Sequence, residues 1–180
     1  MSPPKLSFDD LSARHPGVSP GVASNYAEAV RVCLDRHHTS RAEFRLTDNG
    51  RIEKAIAEWE TADARTKGAW ANRDDATRDG AYGLALASVE IMRGLVAVSR
   101  AETRTGADYY LGARDAVLED LEASIRLEVS GTDEGGQSAI NSRLKQKLEQ
   151  ANDGRSNLPA MASVVGFRAL QVISADVKKP

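Results

Sequence analysis

The chain has 180 residues, of which 41% are hydrophobic and 28% are charged, and these values are typical of one folded domain rather than of a disordered chain. Its formal net charge is −2, from 24 basic and 26 acidic side chains, which excludes a strongly basic nucleic-acid-binding protein; any such contact would need a local patch. Cys33 is the sole cysteine, so neither an intrachain disulfide nor a cysteine-based zinc site can form.

The first twenty residues contain four prolines, which fix φ and remove backbone donors. Residues 1–20 are therefore predicted to be an arm or loop. The first ten residues include acidic side chains and no apolar stretch, and the longest apolar run, 81–98, is interrupted by Glu90 and Arg93. We therefore expect no signal peptide, no membrane partner and a cytoplasmic protein.

Residues 21–80 are predicted to be a helical extension. Apolar residues at helical spacing predict a helix over 22–37, and alternation predicts a short strand over 41–46. The residues from Thr47 to Gly50 are a turn signal. A second helix is predicted over 51–67, because its apolar residues also recur at helical spacing: Ile52, Ala55, Ile56 and Trp59.

Residues 81–177 have the pattern of a nuclease-like α/β core. A largely apolar helix is predicted over 81–102, with a polar stripe that contains Glu90, Arg93 and Arg100. A short aromatic strand follows over 106–112, and a charged connection of unassigned structure covers 114–122. The last predicted elements are an alternating strand over 121–130, a helix over 137–151, and one long or two short strands over 161–177.

The fold class is therefore α/β. We expect a single domain over 21–180, in which a helical N-terminal half packs on a mixed β-sheet core with the order helix, strands, helix, strand.

Two carboxylates in the predicted strand pair are the candidate metal ligands. Asp108 lies at the head of one strand, and Glu128 lies near the end of the next, on its polar face. If the strands pair, the two side chains can meet at one end of the sheet. Mg²⁺ prefers oxygen ligands, leaves other positions to water and phosphate, and can activate water for phosphodiester hydrolysis.

Such a site also needs a cation near the attacking water or the phosphate. On the strand face of Glu128 that position is occupied by Ser130, which cannot supply the charge. Lys147 lies in the apolar sector of the next predicted helix and is the candidate replacement; Arg143 flanks it, and Lys145 points away.

Each of these residues also has a structural interpretation. Asp108 can be a turn or strand-edge residue, and Glu128 can form a surface ion pair with Arg126 or another cation. Lys147 can extend along an apolar surface to reach water, and Glu90 can be a solvated or salt-bridged helix residue.

The segments Gly106–Gly112 and Arg126–Gly131, followed by the basic helix, resemble the restriction-endonuclease-like (PD-(D/E)xK) fold. That core runs helix, three strands, helix, strand, and the resemblance covers roughly residues 81–177. It implies that Asp108 and Glu128 bind metal and that Ser130 stands where lysine is expected. The chain is also similar to a group of uncharacterised bacterial proteins with D-Y-x-L-G and L-E-V-S-G segments, a likeness that implies no established activity.

Three functions remain open from the sequence. The first is a Mg²⁺-dependent nuclease, or a degenerate derivative that binds nucleic acid, with Asp108, Glu128 and Lys147 at its centre and Glu90, Arg126, Ser130 and Arg143 as accessory candidates. The second is a non-catalytic adaptor or accessory subunit of a bacterial defence or DNA-processing complex. The third is a homodimeric structural protein whose helical N-terminal half forms the interface.

Overall fold

The structure is a computed structural model that describes residues 2–116 and 121–178. Within these ranges it is a mixed α/β fold with seven strands in one sheet and five helices. The helices are α1 (Leu11–Arg14), α2 (Pro20–Asp35), α3 (Ala64–Ala69), α4 (Arg73–Arg93) and α5 (Gln137–Asn152). The strands are β1 (Ala42–Asp48), β2 (Arg51–Ala57), β3 (Val96–Arg100), β4 (Tyr109–Gly112), β5 (Ile125–Thr132), β6 (Ala160–Gly166) and β7 (Gln171–Asp176).

The strands lie in the order β2-β1-β7-β6-β5-β4-β3. Strands β3, β4 and β5 form an antiparallel meander, and β5 then pairs in parallel with β6. A parallel pair needs a crossover, and α5 provides it. Strand β7 is antiparallel to β6 and parallel to β1, which joins the β1–β2 hairpin to the sheet.

The alternating residues of β5 show how the two faces of the sheet are covered. Leu127 and Val129 belong to the main apolar core, and the backbone of Gly131 lies against α4. Arg126, Glu128 and Ser130 point to the opposite face, where they contact residues of α5 or its C-terminal end. Helix α4 packs on one face of β5 and helix α5 on the other, so the sheet lies between an α4 layer and an α5 layer. Helix α2 packs closely on α4.

The N-terminal helix is confirmed as α2, which begins at Pro20 behind a Ser19 cap whose side chain accepts a hydrogen bond from the Val22 N–H. The proline-rich segment before it contributes to the core: Leu6, Phe8 and Leu11 are all buried. Leu6 and Pro4 also form backbone hydrogen bonds with Ile56 of β2.

The predicted helix over 51–67 is wrong. Asn49 and Gly50 both have positive φ angles, 48° and 86°, which is the conformation of a two-residue hairpin turn. The chain therefore reverses and forms β2, which pairs with β1 along its whole length. The apolar spacing in this stretch fitted a helical face, but the Asn-Gly turn decides the structure; the N-terminal half is thus not wholly helical.

The predicted helix over 81–102 is only partly correct. Helix α4 begins earlier, at Arg73, because the Asn72 side chain accepts hydrogen bonds from the N–H groups of Asp74 and Asp75. It ends at Arg93 because Gly94 adopts a left-handed conformation with φ 67°. The residues after Gly94 form β3, so Arg100 is a strand residue and shares no helical stripe with Glu90.

In the C-terminal half, the predicted helix over 137–151 is confirmed as α5, and residues 161–177 form two strands, β6 and β7. Strand β5 begins at Ile125, so residues 121–124 precede the strand rather than open it. The charged connection at 114–122 falls in part on residues 117–120, which lie outside the described residues.

Gly131 sets how closely α4 approaches the sheet. A Cβ atom at this position would lie 2.8 Å from the Thr77 carbonyl oxygen and 2.9 Å from the Ala81 Cβ. We expect Gly131→Ala to lower the free energy of unfolding by about 1–3 kcal/mol, because it overpacks a contact with backbone. Gly21→Ala is the matched change, since its Cβ would meet nothing within 4 Å and alanine favours the helix. Urea denaturation that ranks the two variants in the opposite order would contradict this assignment.

No helix in the described ranges 2–116 and 121–178 is long and apolar enough to cross a membrane.

Candidate functional site

A cleft of about 680 Å³ opens between the α4 and α5 layers at the end of β5. Asp108 and the last residues of β5 line its floor, and side chains of α4 and α5 form its walls. Four of these side chains are cationic: Arg73, Arg78, Arg143 and Lys147.

Hydrogen bonds to the backbone of Leu127 and Val129, the residues on either side of Glu128, hold Asp108 in place. Its N–H donates to the Leu127 carbonyl at 2.7 Å, and its Oδ2 accepts a hydrogen bond from the Val129 N–H at 2.8 Å. The β4–β5 register begins with Tyr109 opposite Leu127, so Asp108 lies just before the first paired residue of β4. The Asp108 carboxylate thus accepts a backbone hydrogen bond from β5 just before β4 begins. The Asp108 side chain is 17% exposed and lines the cleft.

Tyr82 and Arg100 fix the other side of the Asp108 carboxylate. The Tyr82 hydroxyl donates to Asp108 Oδ1 at 2.8 Å and accepts a hydrogen bond from Arg100 at 3.1 Å. The Arg100 guanidinium lies over the rings of Tyr82 and Tyr109, at 4.5 and 4.8 Å. Burial, with the charge of Asp108, raises the pKa of Tyr82 to about 12, so the hydroxyl keeps its proton and remains a donor at neutral pH.

Glu128 is buried rather than solvated, which corrects the expectation of an open polar strand face. Its side chain is 6% exposed because α5 covers this face of β5. Lys147 Nζ lies 2.6 Å from Glu128 Oε1 and 3.0 Å from the Gln150 side-chain oxygen. Burial raises the pKa of Glu128 above its ordinary value, although Lys147 acts in the opposite direction; the nearby charge of Asp108 adds to the increase.

Ser130 and Arg143 occupy the next position along the same interface. An Arg143 guanidinium nitrogen lies 3.4 Å from Ser130 Oγ, and both residues line the cleft. The structure therefore brings Asp108, Ser130, Arg143 and Lys147 to one cleft, whereas Glu128, in the middle of β5, does not line the cleft and is connected to it through Lys147.

Glu90 does not belong to this group. It lies two turns after Tyr82 on α4, about 12 Å along the helix axis at 1.5 Å per residue. Its carboxylate pairs with Arg14 at 2.9 Å and with Arg114, and it lies 3.3 Å from His15. Burial alone would raise the pKa of Glu90, but the hydrogen bond and charge of Arg14, with His15 and Arg114, lower it. This arrangement agrees with the salt-bridged alternative.

Arg126 is also removed from the cleft, and it has no carboxylate partner within the described residues. Its guanidinium is almost fully buried and donates to three carbonyl oxygens, those of Thr105, Ala151 and Leu158. Arg126 thus ties the end of α5 and the segments before β4 and β6 to β5.

We expect Arg126→Ala to lower the free energy of unfolding by about 2–4 kcal/mol, because it removes several partly buried hydrogen bonds at once. In a chain of this size that corresponds to a fall in Tm of about 4–16 °C. Arg155→Ala is the control, since Arg155 is exposed in a neighbouring segment and has the same charge. Equal melting temperatures for the two variants in calorimetry would show that Arg126 does not have this role.

Carboxylate oxygens are the ligands that Mg²⁺ prefers in proteins. Among the residues that the structure describes, no three His, Cys, Asp or Glu side chains come together as a metal site. Mg²⁺ does not need such a cage, since one or two carboxylates with water and phosphate complete its shell. In this structure both carboxylates are engaged by the protein, Asp108 by the Tyr82 hydroxyl and the Val129 N–H, and Glu128 by Lys147.

Tyr82 and Arg100 were not predicted from the sequence. Tyr82 lies in an apolar stretch of α4 and has no recognisable spacing to Asp108. The sequence pattern predicts Arg100 on a helix, because the apolar residues of β3 follow directly on those of α4, whereas in the structure Arg100 ends β3. A break at Gly94 was the available signal.

Comparisons with protein-family models, with curated proteins and with solved structures gave no match to this chain.

Proposed function

We propose that this protein is a Mg²⁺-dependent phosphodiesterase that acts on nucleic acid, of the restriction-endonuclease-like kind. The observation that carries the proposal is that Asp108 and Lys147 line one cleft, that Asp108 accepts a hydrogen bond from the Val129 N–H, and that Lys147 pairs with the neighbouring Glu128. The order α4, β3, β4, β5, α5, β6 supports it, since the resemblance implies a core of helix, three strands, helix and strand.

A bound Mg²⁺ would supply an activated water and would offset charge on the phosphate. The protein's own residues orient the ligands. Tyr82 and the Val129 N–H fix the two oxygens of Asp108, while Lys147 holds Glu128 and offers a positive charge beside it. The layers of α4 and α5 limit the approach of a substrate to the open end of the cleft.

The test is degradation of single- and double-stranded DNA and RNA by the purified full chain, with Mg²⁺ or Mn²⁺ and with chelator. Cleavage is expected only with metal, and Glu128→Gln, purified in parallel, should abolish it; this variant also exposes a contaminating nuclease. The proposal fails if the wild-type protein leaves every substrate intact, or if Glu128→Gln cleaves equally well.

A second candidate is a non-catalytic adaptor in a bacterial defence or DNA-processing complex, which would use this cleft to bind nucleic acid or a protein partner. The specific observation in its favour is the close Glu128–Lys147 pair, which neutralises a metal ligand, together with serine at position 130. Titration calorimetry with Mg²⁺ and Mn²⁺ separates the two: a nuclease binds the metal through Asp108, whereas binding of nucleic acid without any metal uptake favours the adaptor.

A further inference from the structure

The interface between α5 and β5 keeps a constant register over three contacts. Ser130 meets Arg143 at 3.4 Å, Glu128 meets Lys147 at 2.6 Å, and Arg126 meets the Ala151 carbonyl at 3.0 Å. Alternate residues of a strand advance by about 6.6 Å, and every fourth residue of a helix advances by about 6.0 Å, so the two elements stay in step. Each strand position on this face therefore has its own partner on the helix.

This register separates the roles of the two cations on α5. The sequence predicted that Lys147 replaces the cation missing at position 130. In the structure Lys147 is the partner of Glu128, whereas the side chain beside Ser130 is Arg143. We propose that Arg143 is the residue that binds the substrate phosphate in place of the cation expected at position 130, and that Lys147 serves as the counterion of Glu128. This inference rests on the proposed function and assigns a binding residue within it.

The charges around the cleft support this assignment. Arg73 pairs with Glu134 at 3.0 Å, and Arg78 pairs with Asp79 at 3.0 Å. Lys147 is paired with Glu128. Of the four cations that line the cleft, Arg143 alone has no carboxylate partner in the part of the chain that the structure describes.

The chemistry of arginine fits the same role. A guanidinium carries five N–H donors in a planar fork, and the long contact with Ser130 occupies only one of its nitrogens. Two adjacent donors can bind the oxygens of one phosphate together. Because Arg143 is exposed at the cleft, it can do so without breaking an ion pair.

The test is the binding of a short fluorescein-labelled DNA to the full chain in chelator, measured by anisotropy over a range of salt concentrations. Arg143→Ala is expected to weaken binding about five- to tenfold and to reduce the slope of log Kd against log salt by about one. Lys145→Ala removes the same charge from the opposite side of α5 and is expected to change Kd less than twofold.

Ser130→Lys in the Arg143→Ala background returns a cation to the strand and is expected to restore most of the affinity and, with Mg²⁺, the cleavage rate. The inference is overturned if Arg143→Ala binds like the wild type, if Lys145→Ala loses as much, or if Ser130→Lys restores nothing. Cleavage by the wild type that Arg143→Ala leaves unchanged defeats only this inference. A wild-type chain that neither binds nor cleaves nucleic acid defeats the proposed function as well.

Discussion

Asp108→Asn is expected to reduce Mg²⁺-dependent cleavage by about a hundredfold or more while the protein stays folded. The variant removes one of two anionic ligands, and a metal contributes several kcal/mol to such a reaction, with each 1.4 kcal/mol worth about a factor of ten. Asparagine is chosen because its oxygen can still accept from the Val129 N–H. Its amide can then donate to the Tyr82 hydroxyl, which changes from donor to acceptor in this contact, so the Val129 N–H and the Tyr82 oxygen both keep a partner.

The matched control is Asp74→Asn, which removes the same charge from the wall of the same cleft, where the carboxylate has no role in the proposed site. Its cleavage rate should stay within about threefold of the wild type, since only a screened surface charge is lost. Circular dichroism and thermal melting establish that both variants are folded. Equal rates for Asp108→Asn and the wild type would remove Asp108 from the site.

Lys147→Met is expected to destabilise the protein by an amount that depends on pH. It leaves the buried Glu128 without its cation, and loss of one partner of a buried pair costs about 3–5 kcal/mol when the remaining group is charged. Burial already raises the pKa of Glu128, and the variant loses the Lys147 contact that lowers it, so this pKa rises further.

The direction of the pH effect follows from proton binding. Between the unfolded-state pKa of Glu128 and its higher folded-state pKa, the folded variant binds more protons than the unfolded chain. The free energy of unfolding therefore falls as the pH rises through this window, and the full loss is present above the folded-state pKa. We expect a small difference from the wild type near about pH 4.5 and the largest difference near about pH 8.

The double variant Glu128→Gln with Lys147→Met tests the cause. It buries no charge at this position, so its free energy of unfolding should lose the added pH dependence and recover part of the stability. Lys145→Met, on the exposed side of α5, should match the wild type at every pH. A pH-independent loss in Lys147→Met would mean that packing of the lysine chain, rather than the charge of Glu128, is what matters.

The fold could be predicted in part from the sequence, where local signals agreed with the tertiary structure. Helix α5 was placed correctly, and strand β5 was placed except for its first four predicted residues, because the apolar periodicities of the two elements are distinct. Strand β1 and the turn after it could be predicted, but β2 was missed because the apolar residues of 51–59 fit a helix as well as a strand. The Asn49-Gly50 turn, in which both residues have positive φ, reverses the chain and favours the strand.

The candidate site shows a similar division. The residue types and strand faces were enough to select Asp108 and Glu128, and the helical wheel was enough to place Lys147 on the covered face of α5. The partner of each α5 cation depends on the position of the helix along β5, and no sequence pattern determines that position. The sequence singles out Glu90 for its place in the polar stripe of the predicted helix, and in the structure its partners are Arg14, at the end of α1, and His15, the next residue.

The close approach of α4 to β5 at Gly131 has a consequence for how the cleft can move. No side chain separates the Thr77 backbone from Gly131 of β5, so the α4 wall of the cleft is in direct contact with the strand. A shift of α4 away from the strand would open a void in the apolar core. The opposite wall is held by two polar contacts, Ser130–Arg143 and Glu128–Lys147, and α5 has only two buried apolar residues, Ile140 and Ala151. We therefore expect the cleft to widen through local displacement of α5. The amide protons of α5 should then exchange with solvent sooner than those in the middle of α4.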